Sequence, residues 1–175
     1  TFIALVFLTP FIGGLVADRY WGYKKSIVIG GLMMGAGYFM MGIHDITMLY
    51  IAMTLVIIGN GFFKPNISTL LGNFYSEDKF KDKKDEGYNI FYMGINVGAF
   101  ICNFFGAALQ ILLGWQYAFM AAGIGMFIGV IVFLLGTKHY GNQTEKKGVQ
   151  PGDMPFYKIV LFILLPSEVV GAIGW

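Results

Sequence analysis

The sequence predicts an all-α fold, a polytopic membrane helix bundle. Of its 175 residues 57% are apolar and 13% are charged, and the mean hydropathy is +0.67. An average soluble domain carries about 25% charged residues. The charges also fall in blocks, and residues 87–137 form an uncharged run of 51 residues. This composition excludes a disordered chain, a nucleic-acid-binding domain and a disulfide-stapled secreted module.

Five spans follow from the uncharged runs, because a membrane-crossing helix needs ~20 apolar residues. The longest run is divided at Gly114-Trp115-Gln116, a polar break with an aromatic residue of the kind found at membrane interfaces. The chain begins at Thr1 inside an apolar stretch, so we expect a piece of a longer protein. The predicted spans are 1–17, 26–43, 47–75, 87–113 and 117–136.

The loops between these spans predict the orientation. Ten Lys and Arg residues lie in loops on one side, and none lies in the two loops on the other side. Positive charge marks the cytoplasmic side, so we expect a multi-pass protein of the cell (inner or plasma) membrane. The mixed-sign run 77–86 is interpreted as a solvated turn. The cytoplasmic loops are 18–25, 76–86 and 137–155, and the opposite loops are 44–46 and 114–116.

Small residues spaced four apart predict close helix crossings, since helices in lipid associate through close backbone packing. Both histidines, His44 and His139, fall in loops, and Cys102 stands alone, so we expect no metal site, no cofactor and no enzyme active site. The predicted crossing pairs are Gly13 with Ala17, Gly31 with Gly35, Gly94 with Gly98, and Gly125 with Gly129.

Lys64 is the most informative residue, because it lies deep within the third span. A lysine at that depth costs ~2.5–3.5 kcal/mol on insertion scales and normally faces a water-filled cavity or a carboxylate. Pro65 follows it and loosens the helix around Gly61. The five spans contain no carboxylate to pair with Lys64. The sequence therefore predicts a functional lysine, with a structural ion pair as the alternative.

The fourth span carries a polar stripe. Five residues recur at intervals of three, four, seven and seven, which places them on one helix face. Tyr92 and Asn96 are predicted to line a polar cavity at the depth of Lys64, whereas interhelical hydrogen bonds account for Asn103 and Gln110. The full stripe is Asn89, Tyr92, Asn96, Asn103 and Gln110.

Three motifs carry a resemblance to a known family. The segment 13–25 resembles the cytoplasmic signature between the second and third helices of major facilitator transporters, with Gly14, Asp18, Arg19 and Gly22 as its gate residues. Segment 59–66, Gly-Asn-Gly-Phe-Phe-Lys-Pro-Asn, resembles the fourth helix of proton-dependent oligopeptide transporters of the bacterial type. Segment 91–100 resembles the fifth-helix signature of the same family.

The resemblance implies a fold and a set of binding residues. Residues 1–137 would be helices two to six of the amino-terminal bundle of the major facilitator fold, and 138–155 a cytoplasmic linker. Lys64 would serve proton coupling and, together with Tyr92 and Asn96, peptide binding. Phe7 stands where the family usually has a tyrosine, so it would keep an aromatic wall but lose a hydroxyl.

Residues 156–175 leave two interpretations open. An apolar stretch is interrupted at Pro166-Ser167-Glu168. It is either the start of a helix inserted between the two bundles, which we favour, or a seventh core helix in which Glu168 is functional.

The resemblance implies proton-coupled symport of di- and tripeptides by alternating access. The partners would be small peptides, protons and the lipid bilayer, with no nucleic acid and with a single chain as the working unit. One alternative is a major facilitator transporter of another small solute, such as nitrate, a drug or a glycoside. Another is a proton-conducting subunit of a membrane redox complex, which the single buried ionisable residue disfavours.

Overall fold

The described part of the chain is a bundle of five helices. The computed structural model describes the backbone of residues 2–43, 45–76 and 80–137, and the side chains from Thr9 onward within these ranges. Helix α1 covers Phe2–Val16, α2 Tyr23–Met41, α3 Ile46–Phe74, α4 Lys84–Leu113 and α5 Trp115–Gly136. A π-helical turn, Ala17–Trp21, continues α1, and a 3₁₀ turn, Lys81–Lys83, precedes α4.

Each of the five predicted spans coincides with a helix, with ends that differ by a few residues. Three described segments are long and apolar enough to cross a membrane by length and composition, namely Ile46–Phe74, Lys81–Leu113 and Trp115–Gly136. The predictions for 138–155 and 156–175, including His139 and Glu168, lie outside the described residues, as does His44.

Local chemistry fixes the helix boundaries. Asp45 begins α3, because its carboxylate accepts a hydrogen bond from the Met48 amide at 2.9 Å, which satisfies one free donor of the first turn. Gly114 separates α4 from α5 with a φ of 103°, a conformation that L residues rarely adopt. The predicted break at 114–116 is therefore confirmed, and α5 starts directly at Trp115.

Helix α2 lies at the centre of the bundle, packed against α3 and α5, while α1 packs against α3. Helix α4 contacts α5 and barely touches α3. The buried cluster lies near the cytoplasmic ends of the helices and consists of Ala17, Tyr23, Ile27 and Leu70, with Phe63, Ile67 and Phe133 packed on it.

The predicted close crossings divide into two groups. A Cβ atom on Gly13 would lie 2.2 Å from the Gly61 carbonyl oxygen, and one on Gly31 would lie 2.4 Å from a Val130 methyl group, so these crossings are confirmed. The crossings expected at Gly94 with Gly98 and at Gly125 with Gly129 are wrong for the described helices, since no atom lies within 4 Å of a Cβ at those positions. Their helix faces are left uncovered by every other described helix.

Candidate functional site

Lys64 lies inside α3 and is exposed. The turn around it is held by side-chain bonds to the backbone: Ser68 Oγ donates to the Lys64 carbonyl at 3.3 Å, and Thr69 Oγ1 donates to the Pro65 carbonyl at 2.9 Å. Among the described residues, no carboxylate forms an ion pair with Lys64. Within the described part of the chain, Lys64 is thus an exposed cation in the interior of α3.

One residue of the α4 stripe, Tyr92, lies close to the level of Lys64 on α3. The Tyr88 hydroxyl donates to the Ser68 carbonyl at 3.4 Å, which fixes the level at which antiparallel α3 and α4 approach. One turn deeper on α4 is Tyr92, and one turn deeper on α3 is Lys64. Tyr92 and Asn96 are both exposed. Asn89, which precedes them in α4, and Asn103, which follows them, are exposed as well.

These residues share a level without bonding to one another. No hydrogen bond between described residues joins Lys64 to Tyr92 or Asn96. The Tyr92 ring packs against Tyr88, with 6.5 Å between the ring centroids, and against Phe91. Lys64 on α3 and Tyr92 and Asn96 on α4 are thus all exposed, and the expectation that they line one cavity stays a prediction. Phe7 lies within α1, but its side chain lies outside the described part of the structure.

The gate residues form a corner in place of the predicted loop. The last turn of α1 widens into the π-helical turn Ala17–Trp21, and α2 begins directly after Gly22. Gly22 has a φ of 80°, which its missing Cβ permits, and its N–H bonds the Ala17 carbonyl at 2.8 Å. The motif glycine is therefore needed for a chain reversal without intervening residues.

Asp18 is held by a tyrosine that the sequence did not indicate. The Tyr23 hydroxyl donates a hydrogen bond to the Asp18 carboxylate, and the Asn73 side chain at the end of α3 also contacts that hydroxyl. Tyr23 is 1% exposed, so the corner is tied into the buried cluster. Arg19 is partly exposed and forms no ion pair with a described residue.

The gate corner and the Lys64 turn are in direct contact. Trp21 stacks on Phe62 with ring centroids 5.4 Å apart. Gly14 faces Pro65, where a Cβ would lie 3.9 Å from the proline ring. An open groove of about 460 Å³ has Gly14, Asp18 and Pro65 in its walls. The two motifs, separated by some forty positions in the sequence, form one continuous structure.

Asn66 is the last residue of the fourth-helix motif, and the sequence assigns it no role. It is the most buried polar side chain of α3. Its Nδ2 donates to the Phe62 carbonyl at 2.7 Å and to the Gly13 carbonyl of α1 at 3.3 Å. The only signal in the sequence was an amide within an apolar span directly after a proline. Over the described residues, no group of three or more His, Cys, Asp or Glu side chains is placed to hold a metal ion.

Comparisons with known proteins place this geometry in a family. The family model described as POT family (PTR2) matches residues 24–165. A di-/tripeptide transporter of Lactobacillus helveticus is 32% identical over 164 residues, which cover 86% of this chain and 33% of the relative. The chain therefore spans about a third of the length of the curated relatives it matches.

Solved structures agree with the family assignment. A crystal structure of a peptide transporter POT in complex with sulfate is similar, with a TM-score of 0.78 and 32% identity over 98% of this chain and 35% of that one. A POT family transporter in complex with 5-aminolevulinic acid has a TM-score of 0.75 and 26% identity over 98% of this chain and 36% of that one. The predicted family and the predicted all-α membrane fold are confirmed. This chain, with its five helices and its Lys64 turn packed on a glycine corner, belongs to the POT family of membrane transporters.

Proposed function

We propose that the protein containing this chain carries di- and tripeptides across the cell membrane together with protons, by alternating access. The exposed Lys64 within α3, which forms no ion pair with a described carboxylate, is the observation that carries this proposal. The similarity of this chain to di-/tripeptide transporters over most of its length supports the same proposal. The chain supplies one wall of the binding cavity, and the proton gradient supplies the driving force without a bound cofactor.

Peptide chemistry fits the exposed side chains of Lys64 on α3 and of Tyr92 and Asn96 on α4. Every unblocked peptide carries a carboxylate, an amine and backbone amides, whatever its side chains. Lys64 attracts the carboxylate, while the Tyr92 hydroxyl and the Asn96 amide bond the backbone or a terminus. Phe7, with no hydroxyl of its own, gives an apolar contact to side chains. Recognition through the constant groups of the substrate permits broad selectivity.

The proposal assigns a role in proton coupling to Lys64. A carboxylate elsewhere in the protein competes with the peptide for Lys64 when it is ionised and releases the lysine when it is protonated. The protonation state then decides which partner Lys64 holds and biases the equilibrium between inward-open and outward-open states. The cytoplasmic corner couples to this switch through the gate residues, which are Gly14, Asp18, Arg19 and Gly22. A single chain is sufficient for the transport cycle.

The test uses the full-length protein in liposomes, with labelled dialanine and an imposed proton gradient. Lys64→Gln is expected to abolish gradient-driven uptake, because the amide carries no charge to exchange between carboxylates. Lys84→Gln, at the exposed start of α4, is the matched control and should keep uptake at the wild-type rate. Undiminished proton-driven uptake by Lys64→Gln would remove the lysine from the mechanism.

A second candidate substrate is a small non-peptide molecule that carries an amine and a carboxylate. The similar POT family transporter in complex with 5-aminolevulinic acid favours this alternative. Competition against dialanine uptake separates the two. A peptide carrier is inhibited more strongly by unlabelled dialanine than by 5-aminolevulinic acid, and the reverse order identifies the non-peptide substrate.

A further inference from the structure

Asn66 is a buried side chain that the proposed function does not use. It is 1% exposed, and its Nδ2 donates to the Phe62 carbonyl on its own helix and to the Gly13 carbonyl on α1. A buried amide N–H without an acceptor is strongly unfavourable, so the two bonds of Nδ2 specify the position of the side chain, while its Oδ1 has no partner among the described residues. One of them crosses between helices at the level of the Lys64 turn.

This turn is the weak point of α3. Pro65 has no N–H, so the Gly61 carbonyl loses its usual helical donor. The same carbonyl abuts α1, where a Cβ on Gly13 would lie 2.2 Å from its oxygen. A Cβ on Gly61 would in turn lie 2.7 Å from Thr9. The two backbones thus touch where α3 is least supported by its own hydrogen bonds.

The direction of Lys64 depends on this contact. Two residues along a helix correspond to a rotation of about 200°, so Asn66 points to the face roughly opposite Lys64. Any rotation or slide of α3 against α1 at this turn moves the backbone from which the Lys64 side chain extends. Phe62 is restrained from both sides, because its ring stacks on Trp21 and its carbonyl accepts from Asn66.

We propose that Asn66 is a positioning residue for Lys64. Its bond to Gly13 fixes the proline-weakened turn of α3 on α1 and thereby aims the lysine at the substrate carboxylate. This inference rests on the proposed function for its consequence in transport, and it assigns a role to a side chain that touches neither peptide nor proton.

Two variants separate the bonds of Asn66. Asn66→Leu removes both and keeps the number and branching of the side-chain heavy atoms. Asn66→Ser keeps a bond to the carbonyl four residues back, as Ser68 and Thr69 make in the same helix, but is too short to reach Gly13. The matched control is Ser26→Ala, since Ser26 is 0% exposed and its hydroxyl has no hydrogen-bond partner.

Transport by the full-length protein in liposomes gives the first readout. Both Asn66 variants are expected to raise the KM for dialanine about tenfold, with a smaller change in the maximal rate, while Ser26→Ala leaves both unchanged. In exchange assays without a gradient, adding Asn66→Leu to Lys64→Gln should weaken transport no further than Lys64→Gln alone. Independent, multiplicative effects of the two changes would overturn the proposal.

Labelling of Lys64 gives a readout that needs no peptide. The rate at which an amine-reactive ester modifies Lys64 in the purified full-length protein, measured by mass spectrometry, should change several-fold in both Asn66 variants and stay unchanged in Ser26→Ala. Altered labelling in a protein that does not carry dialanine would refute the proposed function but support the positioning role. Normal labelling together with a normal KM refutes the positioning role alone. Failure of both Asn66 variants to accumulate, where Lys64→Gln accumulates, makes Asn66 a folding residue and also overturns the proposal.

Discussion

Helices α2 and α4 have similar compositions but different surroundings. Both carry glycines spaced four apart within apolar sequence. Seven of the 19 residues of α2 are buried, including four glycines, whereas Gly87 is the only buried residue among the 30 of α4. Helix α2 is the packed centre, and α4 presents Tyr92 and Asn96 on an open face. The same small-residue pattern therefore serves packing in one helix and lies, in the other, on a face that no other described helix covers.

The largest expected effect is the loss of stability on filling a glycine of α2. A Cβ on Gly30 would lie 2.6 Å from the Gly59 carbonyl oxygen and 2.8 Å from the Phe63 nitrogen, both backbone atoms that cannot move independently. Gly30→Ala should lower the free energy of unfolding by ~3 kcal/mol, seen as a lower melting temperature of the purified protein in detergent. Gly98→Ala in α4, with open space around it, should leave stability unchanged or raise it by about 0.5–1 kcal/mol. Equal losses would contradict the contrast between the helices.

Two tyrosines allow stability and transport to be separated. Tyr23→Phe removes a buried hydroxyl that donates to Asp18, so it should cost about 1–3 kcal/mol of stability. Tyr92→Phe, at a residue that is 58% exposed, should leave the melting temperature unchanged and weaken dialanine binding. Thermal unfolding and equilibrium binding on the same samples check both halves. A large melting shift for Tyr92→Phe would show that the α4 face is packed.

Gly114, between α4 and α5, tests whether backbone conformation alone constrains a position that contacts no other helix of the described residues. Its φ of 103° is strained for any L residue, although nothing lies within 4 Å of its missing Cβ. Gly114→Ala should therefore cost about 1–2 kcal/mol through backbone strain alone. Gly125→Ala, equally open but within helix α5, is the control and should show no loss in thermal unfolding.

The smallest effect is expected at Ser26. Its buried hydroxyl has no partner among the described residues, so its removal eliminates an unsatisfied polar group. Ser26→Ala should change stability by less than about 1 kcal/mol, in the stabilising direction. Thermal unfolding measures this against Ser76→Ala, which breaks an exposed bond to the Gly72 carbonyl at 2.6 Å. A clear loss for Ser26→Ala would reveal a partner for its hydroxyl.

The sequence was sufficient for the helices and for Lys64, because their signals are local. Uncharged runs encode the length of a span, and a lysine within such a run is anomalous wherever its neighbours lie. Which glycine meets another helix is not local. Gly31 meets Val130, whereas Gly94 meets no other described helix, although both begin the same spacing pattern.

The corner and the buried amide also depend on distant partners. The Tyr23 bond to Asp18 requires the widened turn Ala17–Trp21, and hydropathy carries no signal for a π-helical turn. Asn66 bonds a carbonyl on α1, 53 residues away in sequence. An amide in an apolar span signals that some partner exists, but only the fold identifies it as Gly13.

The stack of Trp21 on Phe62 has a practical consequence. The fluorescence of an indole is sensitive to an aromatic neighbour and to water. The ring on which Trp21 stacks belongs to Phe62, two positions before Lys64 in the sequence. A movement of the turn Ala17–Trp21 away from the middle of α3 would separate the two rings. The intrinsic fluorescence of Trp21 should therefore report movement of this cytoplasmic corner relative to α3 in real time, without an attached dye.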